Sequence, residues 1–439
     1  MALTGTCRVA RSWVGLLWFA TVPTLALGQP ARPHKLHQSA PHAAVGSNPS
    51  SSEKGVLEEG SVPGSCGVHR VTGFPGSHLF ASDFIETIAS DSDPKAQDSD
   101  VMWGLTADMS SGVPLRDRAL YISKTTDGGA TWTEVARVDS RYFDAAIGEG
   151  LRNGLSVSPG ATYFVITTQR GAFQVFPQSG TSETVVKAIA GPQVPALPPK
   201  TRITKQAGEP VRANVVSMTA DGNHLTIGYG YFDRDPLMFS YRKDQDDSWI
   251  EEAAILGIPT DMDLLSMQFD DPGNSDPSFL YVGTGDQVYL FNLRSRKWSR
   301  VEGVGSDSAI HGISVVGGLH LAACWGIYTP YGPGVVRRVT NARFLLHRDT
   351  DEAGPNIRAY SIEVDPSRPN REVVTALTGV YTSEDSGKSW RRVRDLPEEE
   401  FRSAHFNSDG SVLVSGIAGT FLVDAFSDTC SPHLKSRRK

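Results

Sequence analysis

The stretch TTDGGATW, Thr125–Trp132, recurs late in the chain as SEDSGKSW, Ser383–Trp390. Both copies fit the pattern Ser/Thr-x-Asp-x-Gly-x-Ser/Thr-Trp, in which aspartate and glycine are typical of a tight turn. The aspartate side chain can accept hydrogen bonds from the N–H groups that follow it, and the glycine can adopt a positive φ. The tryptophan buries its ring beneath the turn. We therefore expect turn-building motifs, and not catalytic or Ca²⁺-binding aspartates.

The repeated pattern resembles the Asp-box, or bacterial neuraminidase repeat, of secreted β-propellers. The residues that carry the resemblance are Asp127, Gly129, Trp132, Asp385, Gly387 and Trp390. A further segment, Asp244–Trp249, keeps the Asp-to-Trp spacing without the glycine. The resemblance implies an all-β propeller of four-stranded blades. It leaves function open, because such propellers include sialidases, xyloglucan-active hydrolases, sortilin-type receptors and a photosystem II assembly factor.

Short runs of β-branched and aromatic residues, separated by Gly, Pro, Asn and Asp, predict strands along the whole chain. Residues 357–393 form the most complete four-stranded unit. A small hydroxyl side chain recurs in the first strand of the units, at Thr87, Ser156, Ser217, Ser266, Ser314 and Ser361, with His405 in the last unit. This repetition predicts seven blades, which begin near Phe84, Asn153, Asn214, Asp263, His311, Arg358 and Arg402. Six blades, as expected for a sialidase, are the alternative.

The last unit, Phe401–Phe426, shows only three strands. We expect Val68–Phe74 to supply the missing strand, because an N-terminal strand that closes the ring removes two exposed sheet edges. Cys66 and Cys430 flank the folded part, and a disulfide between them would tie the two ends together in an oxidising compartment. Cys324 lies in an apolar run and is expected to be a buried thiol.

The ends of the chain predict export. Residues 1–28 have the basic start, apolar run and small-residue cleavage site of a signal peptide, and 29–64 have the Pro-, Ser- and His-rich composition of a disordered linker. The propeller is expected over 65–430, with a basic tail at 431–439. The apolar run is too short and too broken for a membrane anchor, and no later segment approaches the length that a span needs. A net charge of -7 argues against a nucleic-acid partner. We expect a secreted or periplasmic monomer.

The face opposite the repeated turns is the expected binding face. There the first strands of the blades begin, and polar residues are predicted to surround the channel mouth: Arg152, Asn153, Arg212, Asn214, Asp263, His311, Arg358 and Arg402. Clustered guanidinium groups could bind an anion through bidentate hydrogen bonds. Alternatively, these side chains are solvated strand ends that pair with one another.

Catalysis would require two carboxylates on either side of a glycosidic bond. The candidates are Asp263, Glu149 and Asp83, and no pairing stands out. The Arg-Ile-Pro motif of sialidases is absent from the chain, and the histidines lack metal-ligand spacing, so no metal or cofactor is expected. Trp103 and Trp325 could stack on sugars or pack between blades. The sequence favours a non-catalytic binding or scaffold module for a protein or glycan. The alternative is a glycoside hydrolase that acts on an acidic, plant or microbial glycan.

Overall fold

The computed structural model contains strands and turns with almost no helix. It describes residues 56–57, 67–74, 87–91, 100–107, 114–143, 154–177, 184–193, 210–231, 234–271, 274–305, 308–324, 326–332, 335–339 and 358–426. Within these ranges there are three single-turn 3₁₀ helices, at Leu115–Asp117, Ser140–Tyr142 and Pro159–Ala161.

The strands that precede and form blades 1 to 3 are β1 (Val56–Leu57), β2 (Val68–Thr72), β3 (Thr87–Ala89), β4 (Met102–Ala107), β5 (Ala119–Thr125), β6 (Thr133–Asp139), β7 (Leu155–Val157), β8 (Phe164–Thr168), β9 (Gly171–Phe176), β10 (Val185–Ile189), β11 (Ala213–Met218), β12 (His224–Tyr231), β13 (Arg234–Lys243) and β14 (Trp249–Ala254). Those of blades 4 and 5 are β15 (Leu264–Phe269), β16 (Phe279–Thr284), β17 (Val288–Asn292), β18 (Lys297–Arg300), β19 (Ile310–Ser314), β20 (His320–Ala323), β21 (Gly326–Gly332) and β22 (Val335–Arg338). Blades 6 and 7 are built from β23 (Ala359–Val364), β24 (Glu372–Ala376), β25 (Gly379–Ser383), β26 (Arg391–Arg392), β27 (Phe401–Phe406), β28 (Val412–Gly416) and β29 (Gly419–Val423).

Each blade is an antiparallel sheet in which consecutive strands are neighbours, starting with β3, β7, β11, β15, β19, β23 and β27. Each of these first strands also contacts the first strand of the next blade, and β27 contacts β3, so the ring is complete. The structure is therefore a seven-bladed β-propeller, which confirms the predicted all-β fold and excludes the six-bladed alternative.

The core lies between the blades. Second strands such as β4, β8, β24 and β28 are buried along their whole length, whereas the outermost strands β6, β10 and β18 are largely exposed. A strand that is covered on both faces has a nearly continuous run of apolar residues in its sequence. A strand at the rim alternates apolar and polar residues. This gradient explains why the inner strands consist of short apolar runs, whereas the outer strands contain many polar residues.

The ring closes as predicted, with an N-terminal strand in the last blade. β2 pairs antiparallel with β29, with Val71 opposite Thr420. β1 pairs in turn with β2, so that Val56 and Leu57, which lie in the predicted linker, add a fifth strand. Cys66 and Cys430 lie outside the described residues, and their disulfide remains a prediction.

The first repeated turn, Thr125–Trp132, lies at the seam between blade 1 and blade 7. Trp132 is fully buried and packs against Phe74 with ring centroids 5.4 Å apart, in one cluster with Val71 and Leu413. Asn407 of blade 7 donates a hydrogen bond through Nδ2 to the carbonyl of Gly128 at 2.9 Å. The turn is therefore part of the closure of the ring.

The two repeated turns have the same hydrogen bonds, and these are the bonds expected from the sequence. In the first turn, the Thr131 N–H donates to Asp127 Oδ1 at 2.9 Å and Trp132 Nε1 donates to the carbonyl of Gly129 at 2.9 Å. In the second, the Ser389 N–H donates to Asp385 Oδ1 at 2.8 Å. Both aspartates therefore bind their own backbone and leave no unused carboxylate oxygen that would indicate a catalytic role.

Replacing Asp127 or Asp385 by alanine is expected to lower the free energy of unfolding by about 1–2 kcal/mol at pH 7, because the N–H groups lose a local acceptor. Burial alone would raise the pKa of both carboxyls, but the hydrogen bonds outweigh it and lower the pKa below 3.8. The contribution is therefore present above pH 3.8 and is lost only as the pH falls through the lower, folded-state pKa. Urea unfolding measures it, and the exposed Asp246→Ala is the control, which should change stability by less than about 0.5 kcal/mol.

Candidate functional site

A cavity of about 360 Å³ occupies the central channel. All seven blades contribute to its wall, through the first strands or the residue that precedes them. The lining residues include Ile88, Gly154, Asn214, Val216, Met267, His311, Ile313, Tyr360, Glu363 and Arg402. The face where the first strands begin therefore opens into one shared pocket.

Five of the first strands carry a register irregularity near their start. A β-bulge places one extra residue in a strand and re-aims its side chain. The residues at these bulges are Asn214, Leu265, His311, Tyr360 and Arg402, and all of them line the cavity. We refer to the four polar ones, Asn214, His311, Tyr360 and Arg402, as the mouth cluster.

Tyr360 is at the centre of the mouth cluster. The His311 ring centroid lies 5.7 Å from that of Tyr360, and the Arg402 guanidinium carbon lies 5.9 Å from it. Burial, reinforced by the nearby Glu400 carboxylate, raises the pKa of Tyr360 to about 12, while Arg402 and Arg358 oppose the shift. The Tyr360 hydroxyl is therefore neutral at physiological pH and can both donate and accept hydrogen bonds.

The positive charge of Arg402 is compensated. Its Nε donates to a carboxylate oxygen of Glu400, and both side chains are largely buried. Arg358 hydrogen-bonds to Tyr360. The mouth is consequently less basic than the number of its arginines indicates, which weakens the expectation that its guanidinium groups bind an anion.

Asn214 brings an unsatisfied acceptor to the mouth. Its Oδ1 is buried and accepts no hydrogen bond from the described residues. Its amide packs on Gly230, where an added Cβ would come within 2.0 Å of Asn214 Nδ2, so only glycine leaves room for it. On blade 5, His311 Nε2 lies 3.6 Å from the sulfur of Cys324, which is buried at 3% exposure, as the sequence predicted.

The eight predicted binding residues do not form one ring. Asn214, His311 and Arg402 line the cavity together, whereas Asp263 and Arg358 precede their strands and lie two positions nearer the mouth, as Arg212 does. Their carbonyls accept the equivalent N–H groups of Gly285, Leu377 and Gly230. Arg152 and Asn153 are outside the part of the chain that the structure describes, as are Glu149 and Asp83.

The predicted hydroxyl column contains the same offset. Ser266 and Ser361 follow their bulge residue directly, whereas Ser217, Ser314 and His405 come three residues after theirs. Side chains two residues apart in a strand lie on the same face of the sheet. Aligning two blades with an offset of two residues therefore still matches apolar positions with apolar positions. The sequence therefore predicted the first strands correctly. Its set of binding residues, however, mixes positions at the bulges with positions two residues nearer the mouth of the channel.

Glu363, on β23, lines the site but was not predicted from the sequence, and the same holds for Tyr360. Burial alone acts on the carboxyl group of Glu363, with no hydrogen bond from a described residue. Protein atoms surround it, although its side chain keeps some exposure to the channel, and burial raises its pKa from the usual 4.5 to about 8. The carboxyl group is therefore mostly protonated at pH 7. The sequence signal is a strand glutamate between Ile362 and Val364, which is equally typical of a solvent-facing position.

The remaining candidate groups do not lie together. In the described lining of the cavity the only carboxyl group is that of Glu363, and Asp263 is not among the lining residues. Trp103 is 4% exposed and packs against Phe164 of the next blade with centroids 6.4 Å apart, which is the packing role. Trp325 lies outside the described residues. Within the described chain no group of three His, Cys, Asp or Glu could hold a metal ion, and no helix could cross a membrane.

No family model and no curated protein matches the sequence. The fold is similar to that of PorZ from Porphyromonas gingivalis, an essential surface component of its type-IX secretion system, at 16% identity and a TM-score of 0.50 over 81% of this chain. It also matches the extracellular domain of BT4673 from B. thetaiotaomicron, at 12% identity and a TM-score of 0.46 over 78%. This chain spans 48% and 38% of those two structures. At such low identity the likeness concerns the fold alone, which is that of a seven-bladed β-propeller.

Proposed function

We propose that the chain is an exported, non-catalytic binding or scaffold module that holds a protein or a glycan at the mouth of its channel. The mouth cluster carries this proposal, because it gathers a buried amide acceptor, a neutral phenol, an imidazole and a guanidinium group around one cavity. Aromatic and arginine side chains in a concave site are the groups that most often dominate binding energy.

The chemistry of the mouth cluster suits a neutral, polar ligand. Glu400 compensates Arg402, and Tyr360 stays protonated, so the cluster offers several donors and acceptors but little net charge. The hydroxyl groups of a glycan or the amides of a protein loop would pair with such groups. The surface location of PorZ and the predicted signal peptide, residues 1–28, support export.

The double substitution Asn214→Ala and Arg402→Gln is expected to weaken ligand binding at least tenfold, since each change removes a contact of about 1–3 kcal/mol. Ligands would first be identified for the wild-type protein with a glycan array and with exported proteins of the same organism, and affinities then measured by calorimetry. Arg300→Gln, on the exposed outer strand β18, is the control and should bind like the wild type. A ligand that binds all three proteins equally would place the binding surface elsewhere.

A glycoside hydrolase is the second candidate. The observation that favours it is the protonated carboxyl group of Glu363, because a general acid must hold a proton at the working pH. The second carboxylate would come from Asp263, Glu149 or Asp83. Glu363 is the only carboxyl group in the described lining of the cavity, so the hydrolase is the weaker of the two candidates. The glycans of the same array would be analysed for cleavage products. Activity that is lost in both Glu363→Gln and Asp263→Ala would favour the hydrolase, and activity unchanged by either variant would exclude this assignment.

A further inference from the structure

We propose that the deep part of the channel binds a primary alkylammonium group, of the kind that a lysine side chain or a chain N-terminus carries, with Glu363 as its counter-ion. The proposal rests on the proposed function, because the ammonium group would belong to a protein ligand that enters past the mouth cluster. The ammonium group is the part of the ligand that would lie inside the channel.

The first observation is the position of Glu363. It follows Tyr360 by three residues along β23, which places it about 10 Å deeper in the channel than the mouth cluster. It lines the same cavity, and its carboxyl group has no donor among the described residues. A carboxyl group that protein atoms surround and that has no donor is poorly solvated, and a ligand that brings N–H groups would stabilise its ionised form.

The second observation is the wall between the mouth cluster and Glu363. It is apolar on six of the seven blades, and the residues are Ile88, Val216, Met267, Ile313, Ile362 and Ala404. A hydrocarbon stem would be buried against this wall while its charged end reached Glu363. Lysine has this shape, with a flexible apolar stem and a compact charged end.

The third observation is the backbone around the channel. Every first strand is the inner edge of its sheet, so half of its carbonyl groups have no partner strand and face the channel. An ammonium group has three N–H donors, of which the Glu363 carboxylate would accept one or two. The edge carbonyls are available for the rest. The edge also offers N–H groups, but the only ionisable side chain of the described lining at this depth is the acid Glu363, which favours a cation.

No charged side chain on the strands packed against β23 acts as the counter-ion of Glu363. The strands packed against β23 carry His311 on β19, His320 on β20, Glu372 on β24, and Arg402 and His405 on β27. His320 Nδ1 lies 3.5 Å from Glu372 Oε1, and Arg402 is bound to Glu400. Burial is the whole cause of the altered proton affinity of Glu363, with no contribution from a nearby cation.

Calorimetric titration of the full chain with n-pentylammonium tests the proposal. The wild type should bind it, and the affinity should rise at least tenfold between pH 6 and pH 8, because the ionised fraction of Glu363 rises over that range. Glu363→Gln should lose at least tenfold in affinity at pH 8 and most of the pH dependence. The other titratable groups are the same in both proteins, so the difference reports Glu363 alone.

Pentan-1-ol is the matched neutral probe, and it should bind the wild type and Glu363→Gln equally. Thermal unfolding and circular dichroism would verify that the variant is folded. Equal pentylammonium affinity in the two proteins, or no binding to the wild type at pH 9, would overturn the proposal. The mouth variant Asn214→Ala with Arg402→Gln should still bind pentylammonium, so a failed mouth site and a failed ammonium site give different results.

Discussion

Glu363→Gln is expected to raise the free energy of unfolding by about 2–4 kcal/mol at pH 8, and to leave it almost unchanged at pH 4.5. The reason is the burial that raises the pKa of Glu363 from 4.5 to about 8. Between these two values the folded chain keeps a proton that the unfolded chain releases. The free energy of unfolding of the wild type therefore falls as the pH rises through this range. Above pH 8 the destabilisation by Glu363 remains and no longer changes with pH. Glutamine has the same shape, does not titrate, and removes that loss.

Urea unfolding at intervals from pH 4.5 to pH 9 measures the difference between the two proteins. The stability of Glu363→Gln should diverge steadily from that of the wild type up to pH 8 and run parallel to it above. Glu399→Gln is the control, because Glu399 is exposed and its substitution should change stability by less than about 0.5 kcal/mol at every pH. Parallel curves for the wild type and Glu363→Gln across the whole range would show that Glu363 ionises freely in the folded protein.

This behaviour was not predictable from the sequence, since it arises only where seven strands meet. Glu363 reads as an ordinary polar residue in an alternating strand, Ala359–Val364. Whether such a residue faces water or a closed channel depends on the radius of the ring, and so on the number of blades. The sequence predicted that number, but not which level of each first strand would line the cavity.

The fold was predictable because its signals are local. The hydrogen bonds of Asp127 and Asp385 connect residues at most four positions apart, so the turns can be recognised from a few letters. The closing strand was predictable for a different reason, because the last unit lacked one strand and Val68–Phe74 could supply it. The polar residues of the site depend on a one-residue bulge in five of the first strands, and a bulge has no comparable sequence signature. This is why Tyr360 and Glu400 were missed beside Arg402.

The closing strand gives the other large expected effect. Val71→Asp should destabilise the protein by more than about 3 kcal/mol, because it places an unpaired charge in a position that is 0% exposed. Val71 belongs to the cluster of Phe74, Trp132 and Leu413, so the change would loosen the contact between blades 1 and 7 as well as β2 itself. Release of β2 would leave the edge of β29 unpaired and free to bind a second chain.

Arg70→Asp is the matched control, since it introduces the same side chain one position away, at an exposed site of the same strand. Thermal unfolding should show a large decrease for Val71→Asp and little change for Arg70→Asp, and light scattering should detect association only for Val71→Asp. The comparison separates loss of the buried contact from loss of strand propensity, because aspartate disfavours strands equally at both positions. If both variants unfold like the wild type, then β29 does not need β2, and the closure of the ring must depend on contacts such as that between Asn407 and Gly128.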